Sequence, residues 1–133
     1  MGAGQPRVIA YLDTNVVLFL VHGETKRITR RAAQAVERYD LLISPMVMLE
    51  LNYLYEVGRI VVRAEAIFKE LYNSIDLRVC SLPFDRIVET AAKESWTRDA
   101  FDRLIVSQAK ANDQAPLISS DSVVAGQYSN VIW

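Results

Sequence analysis

The segment that most constrains this chain is Val8-Ile9-Ala10-Tyr11-Leu12, which runs straight into Asp13-Thr14-Asn15. Five apolar residues in a row read as a strand buried on both faces, the pattern of a parallel sheet covered by helices. Asp, Thr and Asn then break the run, because their side chains bond to nearby backbone in turns and helix starts. In open α/β sheets, ligands gather beyond the carboxyl ends of the strands. Asp13 therefore stands where function usually sits. Taken alone, it reads equally well as a cap for the next helix.

The rest of the chain repeats the alternation. Val16 to Val21 forms a short apolar helix closed by His22-Gly23, and Thr25 to Tyr39 carries Ile28, Ala32, Ala35, Val36 and Tyr39 at helical spacing. Leu41-Leu42-Ile43-Ser44 is a second buried strand. Ser44-Pro45 then starts a helix from Met46 to about Val57, which Gly58 stops. Helices follow at about Arg63 to Ser74, from Pro83 and Asp85, and from near Asp99. Strands follow at Leu77 to Cys80, Pro116 to Ser119 and Asn130 to Trp133. Strands alternating with helices imply a three-layer α/β/α fold, with a central parallel sheet of four to five strands. At 133 residues the chain reads as a loose tail over residues 1–7 and a single domain over residues 8–133.

Composition excludes several functions. With 15 basic and 16 acidic side chains the net charge is −1, so any nucleic-acid contact must come from local patches. No apolar run approaches the roughly 20 residues of a membrane span. The single Cys80 permits no internal disulfide and fits a reducing compartment. A cytoplasmic protein is expected. None of the five glycines builds a phosphate-binding loop, which disfavours dinucleotide and P-loop proteins.

Four carboxylates stand out by position. Asp13 follows the first strand, Glu50 sits in the apolar Met48-Leu49-Glu50-Leu51, Asp102 lies in a helix's first turn, and Asp121 follows Leu117-Ile118-Ser119. In a parallel sheet Asp13, Asp102 and Asp121 emerge at one edge, and Glu50 lies near enough along its helix to lean over it. Each has an ordinary alternative: Asp99 and Asp102 suit a helix macrodipole, and Asp121 suits a turn. Glu50 is hardest to dismiss, since an unpaired carboxylate among apolar side chains costs several kcal/mol or takes up a proton. Two carboxylates about 5 Å apart repel by about 3 kcal/mol at an effective dielectric of about 20. A divalent cation would remove that repulsion. Oxygen donors without a Cys or His cluster select a hard ion, Mg²⁺ or Mn²⁺, which can activate water and stabilise charge on a phosphate.

Leu12-Asp13-Thr14-Asn15, Leu49-Glu50-Leu51, the run from Trp96 through Asp99-Ala100-Phe101-Asp102-Arg103 to Ile105, and Ser119-Ser120-Asp121 together resemble the PIN domain. Within it, they most resemble the VapC-type toxin ribonucleases. The resemblance implies a metal-dependent endoribonuclease, the toxin of a toxin–antitoxin pair, with Asp13, Glu50, Asp102 and Asp121 as catalytic metal ligands. It also implies an RNA substrate, a homodimer and a groove for a cognate antitoxin. Relatives often carry Pro where this chain has Ala100, and some lack an acid at Asp99, so Asp99 is assigned as a cap or outer group. Thr14, Asn15 and Ser120 are expected to orient the carboxylates, and Arg98 and Arg103 to hold phosphates.

Two other readings compete. Aspartyl-phosphate phosphatases also begin with an Asp after the first strand, but they need a second Asp where this chain has Asn15. A PIN-like module that binds RNA or protein without cutting is the other, and a missing acid would favour it.

Overall fold

The computed structural model describes residues 8–133; the expected N-terminal tail lies outside them. Five strands form one sheet: β1 (Ile9–Leu12), β2 (Asp40–Ile43), β3 (Arg78–Val79), β4 (Leu117–Ile118) and β5 (Val131–Ile132). Every pairing is parallel and the order is β3-β2-β1-β4-β5. Successive strand residues point to opposite faces. Yet Ala10, Tyr11 and Leu12 are all buried, as are Leu117 and Ile118, so both faces are covered and the architecture is three-layered α/β/α.

Seven α-helices supply the cover: α1 (Thr14–Val21), α2 (Arg30–Arg38), α3 (Pro45–Glu56), α4 (Ala64–Ile75), α5 (Phe84–Ala91), α6 (Ala100–Ala111) and α7 (Ser122–Gln127). Helix α6 packs against both α3 and α5, which buries Ile105 through Ala109 without interruption. Tyr11 ties the layers together: its hydroxyl donates to Cys80 Sγ (3.1 Å) and accepts from Asn112 Nδ2 (2.7 Å). Burial pushes this phenol up, so it remains a donor. Among the described residues, no helix is long and apolar enough to cross a membrane.

Local chemistry sets the boundaries. Ser44 caps α3 by accepting from Met46 N–H (3.1 Å), Pro45 opens the helix, and Gly58 follows its end at φ 80°, a conformation a Cβ would strain. The helix expected over Thr25 to Tyr39 is broken. Thr25–Arg27 forms a 3₁₀ turn, Ile28 is extended, and the Thr29 hydroxyl starts α2 by accepting from Ala32 N–H (3.1 Å). Apolar spacing carried across the break because Ile28 still packs on the core. Helix α7, six residues including Gly126, has no counterpart in the sequence reading, since it is too short to show a period.

The strand order fixes the place of the site. β1 to β3 are laid down outward on one side, and the chain then returns to place β4 on the other side of β1. The order therefore reverses between β1 and β4, and their carboxyl ends flank the crevice where such sheets bind ligands.

Candidate active site

Asp13 leaves β1 at this switch point, with its N–H on Ile118 O of β4 (3.0 Å). It is 8% exposed and caps α1: Thr14 N–H donates to Oδ1 (2.8 Å), and Ser119 Oγ donates to Oδ2 (2.6 Å). Both partners reach further. The Thr14 hydroxyl donates to Glu50 Oε1 (2.5 Å), and Ser119 Oγ accepts from Asp121 N–H (3.1 Å). Thr14 thus couples Asp13 to Glu50, and Ser119 couples Asp13 to the start of α7.

Asp121 caps α7 by accepting from Val123 and Val124 N–H (2.8 and 3.2 Å). Asp99 caps α6 by accepting from Phe101 and Asp102 N–H (2.8 and 3.2 Å), so Asp102 is the third residue of the helix, in its first turn. Capping therefore places acids at the N-termini of α1, α6 and α7 at the same sheet edge. The positive ends of these helices stabilise the negative charge they gather.

The acids feel one another. Burial raises the Asp13 carboxyl above its ordinary value, hydroxyl and amide donors pull it back, and Asp121 pushes it up again. Glu50, half-buried on α3, is raised by burial and by Asp13 and Asp99. Asp102 is pushed up to about 7 by burial first, then by Asp99, Asp13, Asp121 and Glu50. Five carboxylates from four segments act on one place, and Asp102 lies in the field of the other four. Ion pairs on Glu24, Asp76 and Glu94 lie away from this cluster.

The donor chemistry fits a hard divalent cation, since it is all oxygen and carries excess negative charge. The spacing is wider than a finished cage. Among the described residues, no three His, Cys, Asp or Glu side chains are close enough to hold a metal ion. Uncompensated repulsion favours such a spread.

The remaining candidates divide. Asn15 is exposed. The hydroxyl on Asp13 is that of Ser119, one residue before the Ser120 that the sequence suggests; a Ser ending a strand otherwise buried on both faces was the available signal. Arg98 is exposed on the approach to α6, its Nη1 on Ser95 O (3.3 Å). Arg103 is fastened inward, Nε donating to Ala91 O (2.9 Å), where it holds α5 to α6.

Residues 10–126 match the PIN domain, and the chain belongs to that family. Its fold is similar to that of VapBC2 from Rickettsia felis, solved bound to a DNA fragment from their promoter. The TM-score is 0.62 at 16% identity, covering 93% of this chain and 96% of that one. No curated protein matches by sequence.

Proposed function

We propose that this chain is a metal-dependent endoribonuclease acting as the toxin of a type II toxin–antitoxin pair. The observation that carries the reading is the convergence of Asp13, Glu50, Asp102 and Asp121 on the switch point of a PIN fold, with no cationic side chain bonded to them among the described residues. These four would hold Mg²⁺ or Mn²⁺, which when bound supplies an activated water and a Lewis acid for a phosphate. Thr14 and Ser119 fix the carboxylate orientations through their hydroxyls. Asp99 shapes the start of α6 and adds charge beside Asp102, whose carboxyl is pushed up to about 7 by burial and by the neighbouring acids. Arg98, exposed on the approach to α6, would meet a substrate phosphate, and Arg103 steadies the helix that carries Asp102.

The partners follow from surface. Leu49 and Tyr53 lie four residues apart on one face of α3 and Val57 follows as its C-cap, each about half exposed. Phe84 and Val88 make a second apolar pair on α5. Such stripes suit a homodimer and an antitoxin segment, and an antitoxin arginine reaching the acids would inhibit by charge. A monomer by light scattering at tens of micromolar would count against the dimer.

The wide spacing of the acids favours one alternative, a module that binds RNA or protein without cutting it. Purified protein separates the two. Cleavage of single-stranded RNA with Mg²⁺ or Mn²⁺, stopped by a chelator and lost in Asp13→Ala/Asp102→Ala, supports the nuclease. Equal activity in parent and double variant, with contaminants excluded, removes it.

A further inference from the structure

Positive charge is concentrated in one short stretch. Between Glu24 and Arg31 stand four cations, Lys26, Arg27, Arg30 and Arg31, against the single acid Glu24; the remaining chain holds 11 basic and 15 acidic side chains. All four cations are exposed. Arg27 is pinned, with its guanidinium 4.6 Å from the centroid of the Phe19 ring and Nη1 3.2 Å from Glu24 Oε2. Arg30 and Arg31 open α2, whose first turn has no acid. Cations at the positive end of a helix oppose its dipole, so two arginines there weaken the helix rather than support it. Their placement makes sense as a site for an anion.

The fold puts this strip beside the acidic edge. Phe19, under Arg27, packs on Trp133 with ring centroids 6.3 Å apart. Trp133 follows β5, which pairs with β4, the strand leading to Ser119 and Asp121. Helix α2 itself packs on β5. The strip therefore flanks the β5 side of the carboxyl-end edge, with β5 only two strand spacings, about 10 Å, from β1. A polyanion approaching acids that repel it needs a separate hold close by.

We infer that Lys26, Arg27, Arg30 and Arg31 form a track for the phosphate backbone of the single-stranded RNA cut at the acidic edge; this rests on the nuclease reading above. Phosphate contacts of this kind position the strand without reading its sequence.

The test uses the full chain with chelator present, so that binding is read without cleavage, and follows fluorescence anisotropy of a labelled single-stranded RNA across salt concentrations. Lys26→Gln/Arg30→Gln/Arg31→Gln leaves the pinned Arg27 in place. It should weaken binding about tenfold or more at low salt, and flatten the log–log salt slope by about 2, the value for three phosphates on a single strand. The charge-matched control Arg59→Gln/Lys69→Gln/Arg86→Gln should change binding little. With Mg²⁺, cleavage of long RNA by the track variant should show a raised KM and unchanged kcat, while a dinucleotide, whose one phosphodiester lies at the acids and leaves no phosphate for the strip, is cut as by the parent. Equal weakening by both triple variants, or none by the first, overturns the track. Undiminished RNA binding with lost binding of a poly-glutamate peptide overturns it in favour of an acidic protein partner. If the parent cuts neither substrate, the nuclease reading fails, while the anisotropy result still decides the track.

Discussion

Asp13 and Glu94 are equally removed from water, at 8% and 7% exposure, and are surrounded in opposite ways. Glu94 meets Lys110 Nζ at 2.8 and 2.9 Å from its two oxygens and accepts from Trp96 Nε1 (3.1 Å). Lys110 in turn lies over the Tyr128 ring, 5.9 Å from its centroid. Asp13 has only a hydroxyl and an amide as partners, and its charged neighbour is another carboxylate. A buried acid with its counter-ion in place holds structure. A buried acid facing more acids stores unfavourable charge that an incoming cation would relieve. Burial does not distinguish the two; the sign of the neighbours does.

The largest expected effect lies on the acidic side. Asp13→Ala or Asp102→Ala should lower RNA cleavage by more than about 100-fold, beyond the loss typical of outer-sphere partners. Glu94→Gln should leave the rate per folded molecule near the parent's. Comparable losses in all three, measured at equal folded fraction, would erase the distinction between the regions.

The paired region should respond in stability instead. Lys110→Ala leaves Glu94 buried without a counter-ion and should destabilise the fold by about 3 kcal/mol in urea unfolding. A change near zero would mean that the pair is solvated and the contrast overstated.

A smaller effect follows from pH. Asp102 has a folded-state pKa of about 7 against an ordinary 3.8, so the folded protein binds its proton more tightly than the unfolded chain does. Metal-free stability should therefore fall as pH rises from about 4 to about 7 and level off above that, with solvent screening limiting the size at this partly exposed group. Asp102→Asn should flatten that part of the curve. Stability rising across the same window would contradict the crowding of acids around Asp102.

The acidic half of this contrast was legible in the sequence and the paired half was not, for specific reasons. An unbroken apolar run ending in Asp13, and Ser44-Pro45 opening α3, are local signals that tertiary contacts do not override. A parallel sheet of four to five strands followed from the alternation of elements, and the structure has five. Asp121 could be placed because parallel strands deliver their ends to one edge, and Asp102 because the helix that runs back to β4 starts at that edge. Ser119 was missed because a hydroxyl's partner depends on strand register, here Leu12 opposite Ile118, which no local pattern encodes. The inward anchoring of Arg103 depends on how α5 meets α6, and the pairing of Glu94 with Lys110 joins residues 16 apart through a loop and a helix. Helix α7 needed Asp121 as its cap rather than a period of its own.

Thermal melting of the metal-free parent and of Asp13→Asn, each with and without Mg²⁺, tests most directly whether the acidic edge is strained by its own charge. Asn keeps the shape and the bond from Thr14 N–H and removes one negative charge, with Ser119 Oγ accepting from the amide NH₂ where it donated to the carboxylate. The metal-free variant should melt a few degrees above the metal-free parent, on the order of 1 kcal/mol. Mg²⁺ at a hundredfold excess over its dissociation constant should stabilise the parent by about 2.7 kcal/mol and the variant much less. If the variant is the less stable of the two and the parent ignores Mg²⁺, Asp13 is a helix cap and the shared acidic site does not exist.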